Sequence, residues 1–254
     1  MIQAYREAPV KHADETGWRR DGQNGFSWLF CTPDISIFRF RQSRAASVAK
    51  EVLGEEQLPG ILVVDRYNGY NKVPCSIQYC YAHLLRDVRD LEKDFPQNAE
   101  VKVFVEALAA QLANAISLGT LDISTRQFKR HATKIKNQII QITNNQARHP
   151  AIQKIQDIFR EKVDRLYHWA QYRNTPADKN LAERALRPLV IASKISFGSQ
   201  SDAGARTREI LMTVMHTLNK RVSDMTGALK SALDQLAEQP DLALHKVLFE
   251  PDSS

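Results

Sequence analysis

The chain has 254 residues, which is enough to bury one large core or one domain that carries an insertion. With 43% hydrophobic and 25% charged residues, no apolar run that approaches a membrane span and no apolar stretch near the N-terminus, its composition is that of a soluble globular protein rather than a membrane or secreted one. Cys31, Cys75 and Cys80 are too few for a disulfide framework, so we expect a reducing cytoplasmic location.

The net charge of +6 is distributed unevenly along the chain. Residues 1–96 and 174–254 are each electrically balanced, so the whole excess lies in residues 97–173. A localised basic excess is the usual electrostatic footprint of a polyanion such as a nucleic acid. A solvated helical face with surplus lysine would give the same pattern, and charge alone leaves both interpretations open.

The first third of the chain is predicted to be rich in strands. Short β-branched and aromatic runs separated by turn residues mark five of them. The predicted strands are Val10–Asp14, Ser27–Cys31, Ile35–Phe40, Ile61–Asp65 and Ile77–Tyr81. The segment DGQNG between the first two predicts a hairpin loop. Between the third and fourth we expect a helix over Arg44–Leu53, capped by Ser43 and ended by Gly54.

From His83 onward, apolar residues recur at helical spacing and predict helices only. The first of these helices ends near Pro96. The others are predicted over Val101–Ile116, Ser124–Asn144, Ala151–Tyr172, Thr175 to Pro188, Ala205–Lys220 and Met225–Ala237. The layout is therefore a β-rich N-terminal block (1–96), a basic helical insertion (97–173) and a helical return (174–254).

Three carboxylates stand at positions that suit a shared site. Asp14 and Asp65 each follow an apolar, strand-like run, and Glu183 lies inside a predicted helix. Mg²⁺ prefers oxygen ligands and takes one or two carboxylates per ion, and a pair of such ions can activate a hydroxyl and stabilise a leaving oxygen in phosphoryl transfer. We therefore predict that Asp14, Asp65 and Glu183 are catalytic and hold Mg²⁺ or Mn²⁺.

Each acid also has a simpler interpretation. Glu15 is an alternative to Asp14, because neighbours in a strand face opposite sides and strand ends are predicted only to within about 2–4 residues. Asp65 could cap the turn after its strand. Glu183 could form a surface pair with Arg187, four residues further along the helix. Only the ordered set of three acids favours a metal site.

The segment CSIQYCYAH contains Cys75, Cys80 and His83 and could be half of a zinc site, but a second pair of ligands is missing from the sequence. We expect His83 to lie at the start of a helix near the acids, where it contacts phosphate or orients a ligand. A hydrogen-bonded histidine at a helix start is the structural alternative.

Four sequence blocks, in order, resemble the catalytic region of insertion sequence 66 family transposases. They are DET-GW at Asp14, VVDRYNGY at Asp65, CYAHLLRD with Cys80, His83 and Arg86, and NLAERALRP with Asn180, Glu183, Arg184 and Arg187. The segment ASKISFGSQSDAGARTREILMTVMHTLNK is similar to the family's sequence beyond the third acid. The resemblance covers about residues 8–221, and AERALRP is an uncommon string.

The resemblance implies an α/β fold, a ribonuclease-H-like mixed sheet with flanking helices that is interrupted by an all-helical insertion. Its Asp-Asp-Glu set would hold two Mg²⁺ ions. The implied protein is a bacterial transposase that cleaves and joins DNA strands at transposon ends, as a homo-oligomer and with accessory transposition proteins. We expect DNA contacts at His83, Arg86, Arg184 and Arg187. A stand-alone nuclease of the same fold, and a transposon remnant that binds DNA without cutting, are the alternatives.

Two features depart from the family pattern. The first acid has only 13 residues before it, whereas family members resemble longer proteins with an N-terminal DNA-binding region. The match also weakens from about Ser223. We therefore expect that the chain is a partial or truncated transposase, in which the catalytic residues are present but transposition needs more.

The basic helical segment is the expected DNA clamp. Between Arg126 and Arg173 there are 11 basic residues against three acidic ones, and several of them share a helix face at i, i+3, i+4 spacing. We expect phosphate contacts without sequence reading at Lys129, Arg130, Lys134 and Lys136. Solvated side chains, or binding of a partner subunit, are the alternatives.

Overall fold

The computed structural model describes residues 1–249 and is built on a five-stranded mixed sheet of order β3-β2-β1-β4-β5. The strands are β1 (Val10–Gly17), β2 (Phe26–Cys31), β3 (Ser36–Arg41), β4 (Ile61–Val64) and β5 (Ser76–Tyr79). β2 pairs antiparallel with β1 and β3, whereas β4 pairs parallel with β1 and β5. This is a ribonuclease-H-like arrangement, so the predicted fold class is confirmed.

Helices flank the sheet and fill the second half of the chain. They are α1 (Ile2–Glu7), α2 (Ala46–Leu53), α3 (Tyr81–Asp94), α4 (Ala99–Leu118), α5 (Thr125–Asn144), α6 (Pro150–Glu161), α7 (His168–Gln171), α8 (Asn180–Ser196), α9 (Asp202–Arg221), α10 (Met225–Glu238) and α11 (Leu244–Phe249). The predicted division into 1–96, 97–173 and 174–254 stays a prediction. One buried cluster joins the sheet to α3–α7, from Tyr5 to Ala177.

The second buried cluster joins α8 and α9 to the opposite face of β2 and β3. Leu29 and Phe38 from the strands meet Leu186 and Leu189 from α8 there. Because successive strand residues face opposite sides of a sheet, the neighbours of Leu29 on β2, such as Phe30, lie in the first cluster instead. The sheet is therefore covered on both faces, and α8 is held against it.

Helix α9 also satisfies the outer edge of β3. The backbone N–H groups of Ser36, Phe38 and Phe40 donate to Thr217 Oγ1, Thr213 Oγ1 and Glu209 Oε2, at 3.1, 3.0 and 2.9 Å. Four residues of helix rise about 6 Å and two residues of strand about 6.6 Å. Side chains at i, i+4 and i+8 on α9 are therefore spaced like alternate residues of β3 and can each reach one of them. The edge strand thus has its hydrogen bonds made by side chains.

The helical region leaves the sheet and returns to it at adjacent points. The chain departs where β5 ends and α3 begins at Tyr81, whose N–H donates to Ala177 O at 2.7 Å on the returning segment. Two residues later, Lys179 N donates to Cys80 Sγ at 3.3 Å. These bonds hold residues 175–179, which form bends and no helix, beside the start of α3. The predicted helix start at Thr175-Pro176 is therefore wrong, and α8 begins at Asn180.

Two further helix boundaries also differ from the prediction. The helix predicted over Ala151–Tyr172 breaks between α6 and α7, where Leu166 O accepts from Tyr81 Oη at 2.6 Å and not from a helical N–H. Helix α8 continues past Pro188 to Ser196, because Leu186 and Leu189 on either side are buried against the sheet. That packing offsets the hydrogen bond that a proline removes.

At α2, the predicted helix end is confirmed and the predicted cap is wrong. Gly54 ends the helix with a left-handed φ of 76°. The helix begins at Ala46, after Ala45, because Ser43 Oγ accepts from Ala45 N at 2.9 Å and forms a local turn before the helix.

Helix α4 is the one helix in residues 1–249 that is long and apolar enough to cross a membrane by length and composition alone. The sequence pattern predicts no apolar run long enough to span a membrane. In the fold, α4 packs between α3 and α5, and Val101, Phe104, Val105, Leu108 and Leu112 are buried in the first cluster. Its apolar character is thus that of a core helix.

Strand β1 carries a buried histidine that makes folding sensitive to acid. Burial, with a contribution from Lys220, lowers the pKa of His12 to about 4, against 6.5 when exposed. Between pH 6.5 and about 4, His12 is protonated in the unfolded chain and neutral in the folded chain. The free energy of unfolding therefore falls as the pH drops through this range. At pH 5 this single group should cost about 2 kcal/mol of the free energy of unfolding.

We predict that His12→Gln reduces the stability loss between pH 7 and pH 5 by about 2 kcal/mol, measured by urea unfolding at both pH values. Burial lowers the pKa of His83, His168 and His216 as well, so the variant keeps part of the acid sensitivity. An unchanged pH dependence in His12→Gln would contradict the assignment.

Candidate active site

The site begins with the register of two parallel strands. On β1 and β4, His12 pairs with Val63, so Asp14 and Asp65 stand two positions further along adjacent strands. β4 ends at Val64, whereas β1 continues to Gly17 by pairing with β2. The predicted strand end at Asp14 is therefore wrong, since Asp14 lies within β1, but the register still brings the two aspartates side by side.

A lysine that the sequence analysis did not identify joins the two aspartates. Lys179, the residue that precedes α8, places its Nζ 2.6 Å from Asp14 Oδ1 and 3.5 Å from Asp65 Oδ2. The lysine side chain is 4% exposed, and those of Asp14 and Asp65 are 12% and 21% exposed. The two carboxylates thus face one nearly buried positive charge.

The pKa values follow from burial and from this triad. Burial raises the pKa of Asp14, and the nearby Lys179 opposes part of that rise. For Lys179, burial alone would lower the pKa, but the charges of Asp14 and Asp65 outweigh it and the pKa is raised. The lysine is therefore a cation at neutral pH, which a pair of neighbouring carboxylates requires.

Asp65 combines both roles that its sequence position suggests. Its Oδ1 accepts from Tyr67 N at 2.9 Å and so caps the turn after β4. Its Oδ2 faces Lys179. The turn-cap interpretation is therefore correct for one oxygen, and the second oxygen remains available to the site.

Glu15 points to the other face of β1. Its carboxylate accepts from Tyr70 Oη at 2.5 Å and pairs with Arg44 at 2.5 Å. Burial raises the pKa of Glu15, and these two partners oppose the rise. Because both carboxylate oxygens already have partners, Glu15 is the weaker candidate of the two neighbours.

Glu183 lies one helical turn after Lys179, in the first turn of α8. Its Oε1 is 3.9 Å from His83 Nδ1 on α3. Burial and Lys179 lower the pKa of His83, whereas the negative charges of Asp65 and Glu183 oppose this decrease. Both acids therefore interact electrostatically with the imidazole. The structure thus directs Glu183 towards His83, and the charge of Asp65 acts on the same imidazole.

His83 and Cys80 occupy the start of α3, as expected for His83. Cys80 is 1% exposed, and burial raises its pKa to about 11 even though backbone N–H groups of His83, Lys179 and Ala82 stabilise the thiolate. The ligand atoms of Cys80, His83 and Glu183 all lie within 4.8 Å of one another.

The arginines expected to contact DNA are all at the surface. Arg86 on α3 and Arg184 and Arg187 on α8 are exposed. Arg184 also lines a cavity of about 490 Å³ with Asp178 and Arg173 near the return segment. Their role in DNA contact stays a prediction.

The basic segment divides into structural and free cations. Arg160 and Arg173 donate to backbone oxygens within the helical region, and Arg165 donates to Asn71 Oδ1 in the β-rich block. Lys136 is half-buried, with its Nζ 5.3 Å from the centre of the Tyr167 ring. It is therefore the weakest of the four clamp candidates.

Four of the remaining cations form an exposed stripe on α5, which we call the α5 stripe. It consists of Arg126, Lys129, Arg130 and Lys134. Within residues 1–249, none of the four makes an ion pair or a side-chain hydrogen bond. Because the capping box of Ser124 and Gln127 fixes the start of α5, the stripe is presented on a regular helix.

Sequence reasoning missed Lys179 because its local pattern is ordinary. A lysine four residues before a glutamate at a helix start is the usual pattern of a surface pair. The signal available was its position one turn before the third acid, on the segment that returns to the sheet. Only the tertiary contact with β1 and β4 distinguishes it.

We predict that Lys179→Met lowers the free energy of unfolding of the metal-free protein by about 3–5 kcal/mol, because it leaves two buried carboxylates without a cation. It should also enlarge the rise in Tm that Mg²⁺ produces, since the ion no longer competes with the ammonium. Thermal and urea unfolding with and without Mg²⁺ measure both effects. Lys50→Met, which removes a surface pair with Glu55, is the control and should change stability by less than about 1 kcal/mol. Wild-type stability of metal-free Lys179→Met would refute the role of the lysine.

The comparisons with known proteins identify a family for most of the chain. Residues 1–207 match the sequence model of the family described as transposase IS66 family, and this range contains Asp14, Asp65, Lys179 and Glu183. No curated protein matched the chain. The family has a transposase function, which implies a nucleic-acid-processing enzyme that binds DNA. Since the match covers most of the chain, the protein belongs to the IS66 family of transposases.

Proposed function

We propose that this protein is the catalytic Asp-Asp-Glu domain of a DNA transposase, which uses Mg²⁺ or Mn²⁺ to cleave DNA at transposon ends and to join the freed strand to target DNA. The observation that carries the proposal is the pair Asp14 and Asp65, which meet in register on adjacent parallel strands and share one cation. Glu183 on α8 is the third acid.

The residues present fit a divalent metal ion. Asp14 and Asp65 direct carboxylate oxygens at a common point that accepts positive charge, as the position of the Lys179 ammonium indicates. Oxygen donors of this kind suit Mg²⁺ and Mn²⁺. When bound, such ions supply Lewis-acid polarisation of a phosphate and a hydroxyl activated for attack.

The protein's own groups prepare the rest of the reaction. Helix α8 holds Glu183 on the side of the aspartate pair, and the packing of Leu186 and Leu189 fixes that helix. With a metal ion held by Asp14 and Asp65, the Lys179 ammonium would be available to pair with a non-bridging phosphate oxygen. His83, a neutral imidazole at pH 7 because its pKa is lowered by burial, is placed to orient Glu183.

Positioning of DNA is assigned to the surface cations. Arg86 on α3 and Arg184 and Arg187 on α8 are exposed on the helices that carry His83 and Glu183, and the α5 stripe offers four cations on one helix that make no ion pair within residues 1–249. Contacts of this kind fix the register of a duplex without reading its bases. We also propose that the protein acts in the cytoplasm, as a homo-oligomer and with accessory proteins. This part of the proposal is based on the family alone.

Two rivals remain, and they differ in what they do with DNA. A nuclease of the same fold would cleave without joining strands, and a transposon remnant would bind DNA without metal-dependent cleavage. Family membership favours the transposase. Strand joining between a pre-cleaved element end and a target duplex in Mg²⁺ separates the transposase from both rivals, and Mg²⁺-dependent cleavage separates the nuclease from the remnant.

We predict that Asp65→Asn abolishes Mg²⁺-dependent cleavage and strand joining, leaves DNA affinity nearly unchanged, and reduces the rise in Tm caused by Mg²⁺, because one of the two shared carboxylates is lost. Cleavage gels, fluorescence anisotropy and thermal unfolding measure the three effects.

Asp87→Asn is the matched control for this prediction. Asp87 is a carboxylate on α3 that pairs with Arg66 and lies outside the proposed ligand set. It should keep cleavage and the metal-induced shift. Full cleavage by Asp65→Asn would remove Asp65 from the mechanism.

We also predict that neutralising the α5 stripe weakens DNA binding equally for unrelated duplexes. Replacement of all four cations by Gln should flatten the log–log dependence of affinity on salt by roughly 3–4, at about 0.9 for each lost phosphate contact. Binding isotherms at several salt concentrations provide the slope.

The control for the stripe removes the same number of charges elsewhere. It replaces four exposed lysines on other elements by Gln, namely Lys50, Lys93, Lys154 and Lys230. This variant should keep the wild-type slope. An unchanged slope in the correctly folded stripe variant would assign the stripe to solvent or to another partner.

A further inference from the structure

The start of α3 holds a second group of metal-ligand atoms beside the aspartate pair. The thiol of Cys80, the imidazole of His83 and the carboxylate of Glu183 place their ligand atoms within 4.8 Å of one another. From the sequence, Cys80 and His83 are only half of a site. The fold supplies a third ligand from α8, 100 residues further along the chain than His83.

The donor set selects a class of metal. Thiolate and imidazole are ligands for zinc-class ions, and a buried cysteine contributes nothing to Mg²⁺, which prefers oxygen. Three protein ligands with a fourth position open are typical of zinc sites that bind a further small ligand. The chemistry of this group is therefore different from that of Asp14 and Asp65.

Two independent features indicate that the group is prepared for an ion. In the described part of the chain, His83 Nδ1 is buried without a hydrogen-bond partner, and Glu183 Oε1 lies 3.9 Å from it. Cys80 Sγ accepts from Lys179 N at 3.3 Å and lies at the N-terminus of α3, where backbone N–H groups offset part of the rise in pKa that burial causes.

The geometry requires only a small contraction. Ligand atoms around a tetrahedral zinc ion lie about 3.4–3.6 Å apart, given bond lengths of about 2.0–2.3 Å. The side chains of His83 and Glu183 are 26% and 33% exposed, so both are able to move by the remaining ångström. Cys80 is buried and fixed.

We propose that Cys80, His83 and Glu183 bind a zinc-class divalent ion at a site distinct from the aspartate pair. The inference rests on the proposed function only in that Glu183 is shared between the two sites. An ion held at Cys80 and His83 engages the carboxylate that the magnesium site also needs. Zn²⁺ is therefore an inhibitor of Mg²⁺-dependent cleavage by this protein.

The test uses Co²⁺ as a spectroscopic probe on the full chain in a buffer without thiols. We expect a thiolate-to-Co²⁺ charge-transfer band and the intense visible bands of tetrahedral Co²⁺, both removed by added Zn²⁺. Cys80→Ser should abolish the charge-transfer band. His83→Ala should weaken zinc binding by more than the roughly 10–100-fold that loss of an outer hydrogen-bond partner costs.

Two control variants distinguish zinc binding at Cys80 from binding at another cysteine and from binding at the magnesium site. Cys75→Ser removes a cysteine outside the cluster and should keep the band. Asp65→Asn should reduce the Mg²⁺-induced shift in Tm and keep the Co²⁺ band, so failure of the magnesium site and failure of the zinc site are distinguishable. The proposal is overturned if the folded wild-type protein gives no charge-transfer band, if Cys75→Ser loses it, or if Cys80→Ser keeps it. Should Cys80→Ser not fold, unchanged zinc affinity in His83→Ala overturns it.

Discussion

Two carboxylates that adjacent parallel strands bring side by side need a cation between them, and the fold of this protein supplies one. Asp14 and Asp65 are brought together by strand register, which the apolar pairing of β1 with β4 determines. Like charges this close and this little hydrated are stable only with a counter-charge. The Lys179 ammonium meets that need at 2.6 and 3.5 Å. The site can therefore exist in the folded chain before any metal ion arrives.

The position of that lysine depends on how the chain comes back to the sheet. The helical region α4–α7 is bounded by Tyr81 and Ala177, whose backbone groups are hydrogen-bonded to each other. Because the exit and the return are joined, the 95 residues between Tyr81 and Ala177, most of them helical, separate Asp65 from Lys179 in sequence while the two side chains stay in contact. The same junction starts α8 directly after Lys179, so the counter-charge and the third acid are carried by one segment.

Much of this arrangement could be predicted from the sequence, and the exceptions share a cause. Strand-like apolar runs before Asp14 and Asp65, and the helical period after His83, depend on neighbours in sequence, and those predictions agree with the fold. Three other features depend on distant partners instead. They are the non-helical segment at Thr175, the break at Leu166 and the continuation of α8 through Pro188. The identity of Lys179 as the counter-charge is of the same kind. Periodicity carries no information about which distant residue a side chain will meet.

The way α9 covers β3 has a consequence for where the chain can be cut. The family match ends at residue 207, just before Glu209, Thr213 and Thr217 provide their acceptors. A piece that stopped at that boundary would retain every proposed catalytic residue and expose three outward N–H groups on an edge strand. Open strand edges of this kind pair with other chains. The catalytic set and the segment that covers the β3 edge therefore do not share a boundary, and self-association through β3 is the expected behaviour of the shorter piece.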